Sequence, residues 1–446
     1  MYKVPTQIVQ RLCRTTAKRQ TTFTQCGCTR LGTISLLQSN VQDYRTANNC
    51  SFSSTARTHA DPSKSNATNA QGLNESSPDA SAEELLRGSQ VHDIDPEFPS
   101  DVTEKWGKYK NYNDWARSQT RHAFRPRIDP KHMSIIIFPG QGAQFVGMAS
   151  KLLDYPNVGE MFKVASEVLQ YDLLDVCLNG PKEKLDKTIY CQPAILVTSL
   201  AAVEKLKDEK PWAIENCSST AGFSSGEFAS LVFSGALSFE DAVRVLKTRA
   251  QAMQEASEAT SSGMMVVFLH PSAKLNFACH TARQYCIKRL GMEKAVCAIA
   301  NYLYPECKVI AGNTEALEFI EKNAKDFGIS RVKWLPVSGA FHTPLMQSAK
   351  KPLEEALKHV DIRHPIISVH SNVTSHRYNK PATIAKLLVE QVTSPVKWEQ
   401  TLHVLYARPQ GENFPSTYEM GPGTQLGSLL RKTNEKAHAH YSNITV

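Results

Sequence analysis

The sequence predicts an α/β fold whose core has a mainly parallel sheet and carries a small inserted subdomain. From Ser134 onward, strand and helix patterns alternate along the chain, which is typical of parallel strands joined by helices. Within this stretch, residues 263–336 follow the order βαββαβ, which matches the split βαβ arrangement of a ferredoxin-like unit. We therefore expect a core formed by residues 134–262 and 337–446, with residues 263–336 inserted between its two parts.

The individual elements follow from runs of residue types. A β-branched run at residues 134–138 stops at Pro139-Gly140 and predicts the first strand of the core. Residues 217–221 predict another core strand, although they are more polar than a buried central strand usually is. In the inserted unit, strands are expected near residues 264–269, 294–300, 307–311 and 331–336, and helices near residues 271–290 and 314–326.

The N-terminal part of the chain is expected to lie outside this core. Residues 1–42 contain six basic side chains and no acidic one, and this Arg-, Ser- and Thr-rich composition is typical of a mitochondrial transit peptide. Residues 43–95 are rich in small polar residues, which indicates a disordered linker. Residues 96–133 are expected to pack on the core as an extension with a short amphipathic helix. Its aromatic residues recur at every third position: Trp106, Tyr109, Tyr112 and Trp115.

Composition excludes several classes of protein. Of 446 residues, 41% are hydrophobic and 21% charged, as in ordinary globular proteins. No apolar run approaches the length of about 18 residues that a membrane span needs. The formal net charge is +8, but six basic residues lie in the first 42 positions, so the remainder gives no footprint of nucleic-acid binding. The eleven cysteines form no Cys-x-x-Cys pair, and neither a metal site nor a disulfide framework is expected.

The pentapeptide Gly222-Phe223-Ser224-Ser225-Gly226 predicts a nucleophilic serine. G-x-S-x-G fits a nucleophile elbow, a sharp turn from strand to helix that exposes one hydroxyl, with glycines where a Cβ would collide. Ser224 is the candidate nucleophile, and it needs a general base. In elbow enzymes the histidine follows the serine, and His342 comes directly after the inserted unit. Other histidines compete for this role: His270, His280, His364, His370, His376 and His403.

Gly140-Gln141-Gly142 follows the first predicted strand, so its main-chain N–H groups are candidates for an oxyanion hole. A dinucleotide-binding G-x-G-x-x-G motif is the alternative interpretation. That motif fails because Phe145 stands where the third glycine would be.

Arg249 is expected to point into the protein. Ser238 and Asp241 predict the start of a helix with a capping box. The apolar stripe of that helix comprises Phe239, Ala242, Val243, Leu246, Ala250 and Met253. At about 100° per residue, Arg249 falls on the edge of this stripe. A buried guanidinium needs an anion, so Arg249 is either half of a structural ion pair or a clamp for a substrate carboxylate.

Together these motifs resemble those of the malonyl-CoA–acyl carrier protein transacylases, and most closely of their mitochondrial members. The resemblance spans residues 134–435 and is carried, in order, by segments 138–144, 192–195, 222–228, 247–253, 338–343, 394–398 and 419–423. It implies a hydrolase-like α/β core with a ferredoxin-like insert, in agreement with the pattern of elements.

The resemblance also implies a role for each site residue. Ser224 would be acylated by malonyl-CoA, His342 would act as general base and then as general acid, and Arg249 would bind the malonyl carboxylate. The main-chain N–H groups of Gln141 and Ser225 would form the oxyanion hole. The remaining implied positions are the site-lining residues Gln192, Asn301 and Phe341, and Lys397, whose main-chain carbonyl would orient the histidine.

The implied reaction is a ping-pong transfer of malonyl from malonyl-CoA to the phosphopantetheine thiol of acyl carrier protein. It would supply fatty acid synthesis in the mitochondrial matrix, and the enzyme is expected to be a monomer that needs no metal or redox cofactor. The alternatives are a serine hydrolase or thioesterase, an acyltransferase for another acyl group, and a non-catalytic scaffold or nucleic-acid-binding protein, which the overall basic charge suggests. Phe341, beside the base, is expected to disfavour branched acyl groups. Ser225 replaces a residue that is usually apolar in the family, and it is a second candidate serine.

Overall fold

A computed structural model describes residues 129–337 and 339–446. The predictions for residues 1–42, 43–95 and nearly all of 96–133, including the aromatic helix, lie outside the described residues. The strands are β1 Ser134–Phe138, β2 Cys217–Gly222, β3 Ser262–Leu269, β4 Cys297–Tyr304, β5 Cys307–Asn313, β6 Ile329–Trp334, β7 Ser368–His370, β8 Val396–Lys397, β9 Ser416–Met420 and β10 Tyr441–Ile444.

The α-helices are α1 Val158–Leu169, α2 Leu173–Asn179, α3 Lys182–Leu185, α4 Thr188–Glu209, α5 Pro211–Glu215, α6 Gly226–Phe233, α7 Phe239–Glu258, α8 Leu275–Leu290, α9 Thr314–Lys322, α10 Lys350–Lys358, α11 Pro381–Gln391, α12 Trp398–Tyr406, α13 Gln425–Thr433 and α14 Glu435–His438. Short 3-10 helices occupy Pro130–His132, Ala324–Phe327 and Pro344–Ala349. Within residues 129–337 and 339–446, no helix combines the length and hydrophobicity that crossing a membrane requires.

β1 lies at the centre of a five-stranded parallel sheet in the order β10-β9-β1-β2-β7. Every residue of β1 is buried, as expected for a parallel strand covered on both faces. The polar strand β2 pairs with both β1 and β7, and Ser218 Oγ donates to the main-chain oxygen of Ser134 at 3.2 Å. The predicted parallel core is therefore present, and β2 lies inside it, between β1 and β7, despite its polar residues.

The helix that carries Arg249 begins where its capping box predicts. The main-chain N–H of Asp241 donates to Ser238 Oγ at 3.1 Å, and α7 starts at Phe239. α7 packs against α4, and both helices contribute buried apolar side chains to the largest hydrophobic core. This packing directs the apolar face of α7, with Arg249 at its edge, toward the interior.

A second sheet has the order β6-β3-β5-β4-β8. Its first four strands come from residues 262–334, where strand, helix, strand, strand, helix and strand follow each other in the order expected from the sequence. β3 pairs antiparallel with β5 and β6, and β4 pairs antiparallel with β5. Helices α8 and α9 share a separate hydrophobic core with this sheet.

The bounds of several elements in residues 262–334 differ from the expectation, most clearly the ends of β4 and α9. β4 continues to Tyr304, beyond the predicted end at residue 300, because its last residues pair antiparallel with β5. Asn301 and Tyr302 also pair in parallel with the short strand β8 from the other part of the core. α9 ends at Lys322, before the predicted end at residue 326, and the chain continues into the 3-10 helix Ala324–Phe327. Gly328, with a φ of 73°, then turns the chain into β6.

Candidate active site

A sharp turn between β2 and α6 carries Ser224. Ser224 has a φ of 52°, in the left-handed region that non-glycine residues rarely adopt. Its main-chain N–H donates to Asn372 Oδ1 at 2.6 Å, which holds the turn. A Cβ on Gly222 would overlap the main chain of Gly226, and a Cβ on Gly226 would overlap the main-chain oxygens that follow β1. Both glycines are therefore required by close backbone packing, as the elbow motif predicts.

His342 lies against the hydroxyl of Ser224. The distance from Ser224 Oγ to His342 Nε2 is 2.8 Å, and both residues are buried. Burial, and then the positive charge of Arg249, lower the pKa of His342 to about 4, while main-chain contacts to Gln391 and Ser394 act in the opposite direction. At neutral pH the imidazole is therefore neutral and able to accept the serine proton. In the described part of the chain, none of the competing histidines hydrogen-bonds Ser224.

The prediction that the main-chain carbonyl of Lys397 orients the histidine was wrong. His342 Nδ1 lies 2.8 Å from the main-chain oxygen of Gln391, at the end of α11. The oxygen of Lys397 instead accepts the hydroxyl of Thr401 at 2.8 Å, because Lys397 lies directly before α12. A main-chain acceptor has no side-chain signature, so the sequence could not distinguish two residues that lie only a few positions apart in the chain.

Arg249 is buried beside the nucleophile. Its Nη1 donates to Gln192 Oε1 at 2.6 Å, and its Nη2 donates to Gln391 Oε1 at 2.8 Å and to Ser224 Oγ at 3.3 Å. Among the described residues Arg249 Nε has no acceptor. Burial lowers the pKa of Arg249 to about 10, and the nearby Glu227 opposes this shift.

Of the two interpretations of Arg249, the direct structural ion pair is not found in the described residues. Its partners are amide and hydroxyl oxygens, which solvate a guanidinium without neutralising it. The nearest carboxylate, that of Glu227, lies beyond the amide of Gln391. A buried cation with neutral partners, 3.3 Å from a nucleophile, is suited to bind a substrate anion.

The candidate oxyanion donors lie on adjacent strand ends. Gln141 follows β1 and Ser225 follows the nucleophile, and the parallel pairing of β1 with β2 brings these two turns together. Gly140 packs so closely on the main chain of Phe223 that a Cβ there would overlap it. Among the described residues neither the main-chain N–H of Gln141 nor that of Ser225 donates to a protein acceptor. These two groups are suited to bind a developing oxyanion.

Three further residues were expected to line the site. Gln192 does so, because it accepts from Arg249 and its Nε2 lies 3.5 Å from Gln141 Oε1. Asn301 is buried in β4, beside β8, and its Oδ1 has no hydrogen-bond partner among the described residues. Phe341 is buried next to His342 in the main core. In the described residues neither Asn301 nor Phe341 is hydrogen-bonded to Ser224.

Three buried polar residues that connect this site were not predicted. Asn372 fixes the main chain of Ser224 and also donates to the oxygen of Gly222 at 2.6 Å. Gln391 contacts Arg249 with its side chain and His342 with its main chain. Glu227 accepts from Gln391 Nε2 at 2.5 Å and from the hydroxyl of Tyr378 at 2.6 Å. Glu227 directly follows the elbow motif and could have been considered, but Asn372 and Gln391 come from distant parts of the chain with no motif of their own.

The arrangement can carry out acyl transfer. It combines a strained serine, a neutral imidazole within hydrogen-bond distance, two main-chain N–H donors and a buried cation. Within the described ranges no group of three or more His, Cys, Asp or Glu side chains is arranged to hold a metal ion. All seven described cysteines are buried, and no disulfide joins any two of them.

Comparisons with known proteins agree with this geometry. A family model described as acyl transferase domain matches residues 135–416. The human mitochondrial malonyl-CoA–acyl carrier protein transacylase is 53% identical over 331 residues, which cover 74% of this chain and 85% of the human protein. The solved malonyl-CoA–acyl carrier protein transacylase of Coxiella burnetii has a TM-score of 0.64 at 30% identity and covers 72% of this chain and 96% of its own.

A further solved structure contains a partner protein. It is a type II polyketide synthase acyl-carrier protein in complex with its malonyl-transacylase, with a TM-score of 0.61 at 30% identity. The match covers 70% of this chain and 94% of that one. The sequence motifs, the fold, the Ser224–His342 pair and these similarities agree. The chain belongs to the family of malonyl-CoA–acyl carrier protein transacylases.

Proposed function

We propose that this protein transfers a malonyl group from malonyl-CoA to the phosphopantetheine thiol of acyl carrier protein through a malonyl ester of Ser224. The observation that carries the proposal is the buried guanidinium of Arg249, whose Nη2 lies 3.3 Å from Ser224 Oγ. In a malonyl ester of that oxygen, one CH₂ group joins the ester carbonyl to the carboxylate. The carboxylate would therefore lie within reach of the Arg249 guanidinium. The names of the relatives given above support this choice of substrate and acceptor.

In the first half-reaction, Ser224 Oγ attacks the thioester carbonyl while His342 Nε2 takes its proton. The main-chain oxygen of Gln391 accepts the Nδ1–H of the imidazole, which fixes the tautomer and stabilises the imidazolium. The N–H groups of Gln141 and Ser225 bind the tetrahedral oxyanion, and each such donor contributes about 3 kcal/mol. The tetrahedral intermediate then collapses, the C–S bond breaks, and His342 protonates the departing coenzyme A thiolate.

In the second half-reaction, the thiol of acyl carrier protein replaces coenzyme A. His342 Nε2 accepts the thiol proton, the thiolate attacks the ester carbonyl, and the same two N–H groups bind the oxyanion. Collapse breaks the C–O bond and returns the proton to Ser224 Oγ. Every proton is carried by His342, so the reaction needs no metal or redox group.

Arg249 accounts for selectivity in this mechanism. A malonyl carboxylate gives the buried guanidinium an anionic partner, whereas an acetyl group leaves it without one. Gln192 and Gln391 hold the guanidinium in place from two sides. We propose that Asn301 and Phe341 line the same site, and that Phe341, packed beside the base, restricts branching at the α-carbon.

The remaining features of the proposal concern the protein as a whole. Residues 263–336 are proposed to be a ferredoxin-like subdomain, which the antiparallel order β6-β3-β5-β4 supports. The human relative is named a mitochondrial protein, and with the basic, acid-free residues 1–42 this supports a location in the matrix. Every group placed in the mechanism comes from one chain, so a monomer would be sufficient.

Product analysis tests the transfer. The protein is incubated with malonyl-CoA and phosphopantetheinylated acyl carrier protein, and malonyl-carrier and free malonate are quantified. We expect malonyl-carrier protein as the main product. A serine hydrolase or thioesterase would release malonate with or without the carrier, and that result would contradict the proposal.

A further inference from the structure

Glu227 is a buried carboxylate to which the mechanism gives no role. It lies in the first turn of α6, three residues after the nucleophile, and it is fully buried. Its two oxygens face only donors among the described residues: the hydroxyl of Tyr378 at 2.6 Å, Nε2 of Gln391 at 2.5 Å and the main-chain N–H of Asn372 at 3.3 Å. A carboxylate is an acceptor at every lone pair, so it suits this environment in its ionised form.

The side chain of Gln391 links this carboxylate to the cation of the site. Its Nε2 donates to Glu227 and to the main-chain oxygen of Ser224, the latter at 3.0 Å, while its Oε1 accepts from Arg249. A glutamine amide can present its two ends in either order. Because Glu227 accepts only, it holds the NH₂ end, and the oxygen end must then face Arg249.

The reversed amide would damage the site. It would direct an NH₂ group at the guanidinium of Arg249 and an oxygen at the oxygens of Glu227 and Ser224. Each of these contacts would place a donor against a donor or an acceptor against an acceptor, which is costly for buried polar atoms. The orientation of Gln391 is therefore coupled to the charge of Glu227.

We propose that Glu227 is a positioning residue that fixes the amide of Gln391 and thereby holds Arg249 ready for the substrate carboxylate. The inference rests on the proposed function, because selectivity for malonyl is the property it explains. Glu227 also supplies the negative charge nearest to Arg249, one amide away. Burial raises the pKa of Glu227 to about 7, and its hydrogen bonds and Arg249 oppose this rise. The titratable and charged groups around it are Tyr378 and Arg249.

The test is Glu227→Gln, which keeps the size of the side chain but introduces an NH₂ group where only donors converge. The measurement is the ratio of kcat/KM for malonyl-CoA to that for acetyl-CoA. We expect the ratio to fall about tenfold or more, since one mispaired buried polar contact has that effect on binding. Glu227→Asp, which remains an acceptor at every lone pair, is expected to retain most of the ratio even if its overall rate falls.

Glu419→Gln is the matched control. Glu419 is equally buried, and its oxygens accept from the main-chain N–H groups of Leu426 and Gly427 and from the hydroxyl of Tyr441. Among the described residues it forms no hydrogen bond with a residue of the site. A loss that is merely structural would lower the melting temperature of both variants and leave both selectivity ratios unchanged. A Glu227→Gln protein that is folded and keeps the wild-type ratio within about twofold overturns the proposal.

A second variant keeps the proposal testable if Glu227→Gln does not fold. Gln391→Met removes the amide bridge but leaves the main-chain oxygen that His342 uses. We expect it to lose selectivity as Glu227→Gln does, and a normal ratio in Gln391→Met contradicts the proposal. Failure of the proposed function would look different, because wild-type protein would then release free malonate instead of forming malonyl-carrier protein, whatever ratio the Glu227 variants show.

Discussion

Ser224 and His342 both have positive φ values, 52° and 62°, although neither is glycine. Such conformations cost on the order of 1–3 kcal/mol each and persist where the surroundings enforce them. Here Asn372 holds the main chain of Ser224, and α11 supplies the carbonyl that holds His342. Both residues that we assign to proton transfer are therefore strained, and the contacts that enforce the strain fix their geometry before substrate binds.

Removing the buried cation should remove selectivity. In Arg249→Met the malonyl carboxylate loses its partner, whereas acetyl no longer faces an unpaired charge. We expect kcat/KM for malonyl-CoA to fall by about 100-fold or more, which corresponds to about 3 kcal/mol. The value of kcat/KM for acetyl-CoA should rise or stay the same. Steady-state kinetics with both thioesters measure the two values. Unchanged preference for malonyl would show that Arg249 is only structural.

The protonation of His342 gives a pH prediction. The pKa of His342 is lowered to about 4, so the neutral base persists as pH falls through 6.5 and is lost only near pH 4. For acetyl-CoA, a substrate without the carboxylate that Arg249 binds, the acid limb of kcat/KM should therefore lie well below pH 6.5, measured over the range in which circular dichroism shows folded protein. The unfolded state takes up this proton first, so the contribution of His342 to stability falls as pH drops from 6.5 toward 4.

Arg249→Met provides the comparison for this pH profile. The charge of Arg249 is the second cause of the low pKa, after burial. With acetyl-CoA as substrate for both proteins, the acid limb of the variant should move to higher pH. An acid limb at pH 6.5 or above in the wild type would contradict the assignment of a buried neutral base.

Ser225 is expected to act through its main chain alone. Its Oγ is buried and has no hydrogen-bond partner among the described residues, whereas its N–H is a candidate oxyanion donor. Ser225→Ala keeps the N–H and removes an unsatisfied hydroxyl, so activity should stay within about threefold and stability should not fall. Kinetics and thermal unfolding check this. A loss comparable to that of Ser224→Ala would make Ser225 the nucleophile.

At the scale of elements, the elbow depends on close contact between β1, β2 and α6. A Cβ at Gly226 would overlap the main-chain oxygens of Phe138 and Pro139, which cannot move without displacing β1. Gly226→Ala should therefore destabilise the fold by about 3 kcal/mol or more and abolish activity. The measurement is the free energy of unfolding in denaturant.

Gly159→Ala is the control for the elbow variant. Gly159 lies in α1, and a Cβ there meets no atom within 4 Å. The substitution should be neutral or stabilise by about 0.5–1 kcal/mol, because alanine favours the helix. If Gly226→Ala behaved like Gly159→Ala, close packing would not explain the elbow glycines.

The elements also show what the sequence could reveal. β1, the elbow, the capping box of α7 and the order of elements in the second sheet follow from local patterns, and local patterns are visible in a sequence. β8 was not predicted, because a two-residue strand has no periodicity and exists only through its pairing with β4. Lys397 was assigned in place of Gln391 for a related reason, since a main-chain acceptor is defined by three-dimensional position alone.

At the scale of the whole molecule, the site is assembled from both parts of the core. Ser224 and Arg249 precede the second sheet in sequence, whereas His342 and Gln391 follow it. The strand pair β4–β8 joins this sheet to the segment between α11 and α12, which includes Ser394, a main-chain contact of His342. The second sheet is thus connected to the loop that positions the base.

The most direct test of the account is mass spectrometry of the protein after incubation with malonyl-CoA in the absence of acyl carrier protein. We predict a malonyl adduct on Ser224 in the wild type and in Ser225→Ala, no adduct in Ser224→Ala, and a strongly reduced one in His342→Ala. An adduct that persists in Ser224→Ala, or that maps to Ser225, would contradict the assignment of Ser224 as the residue that carries the acyl group.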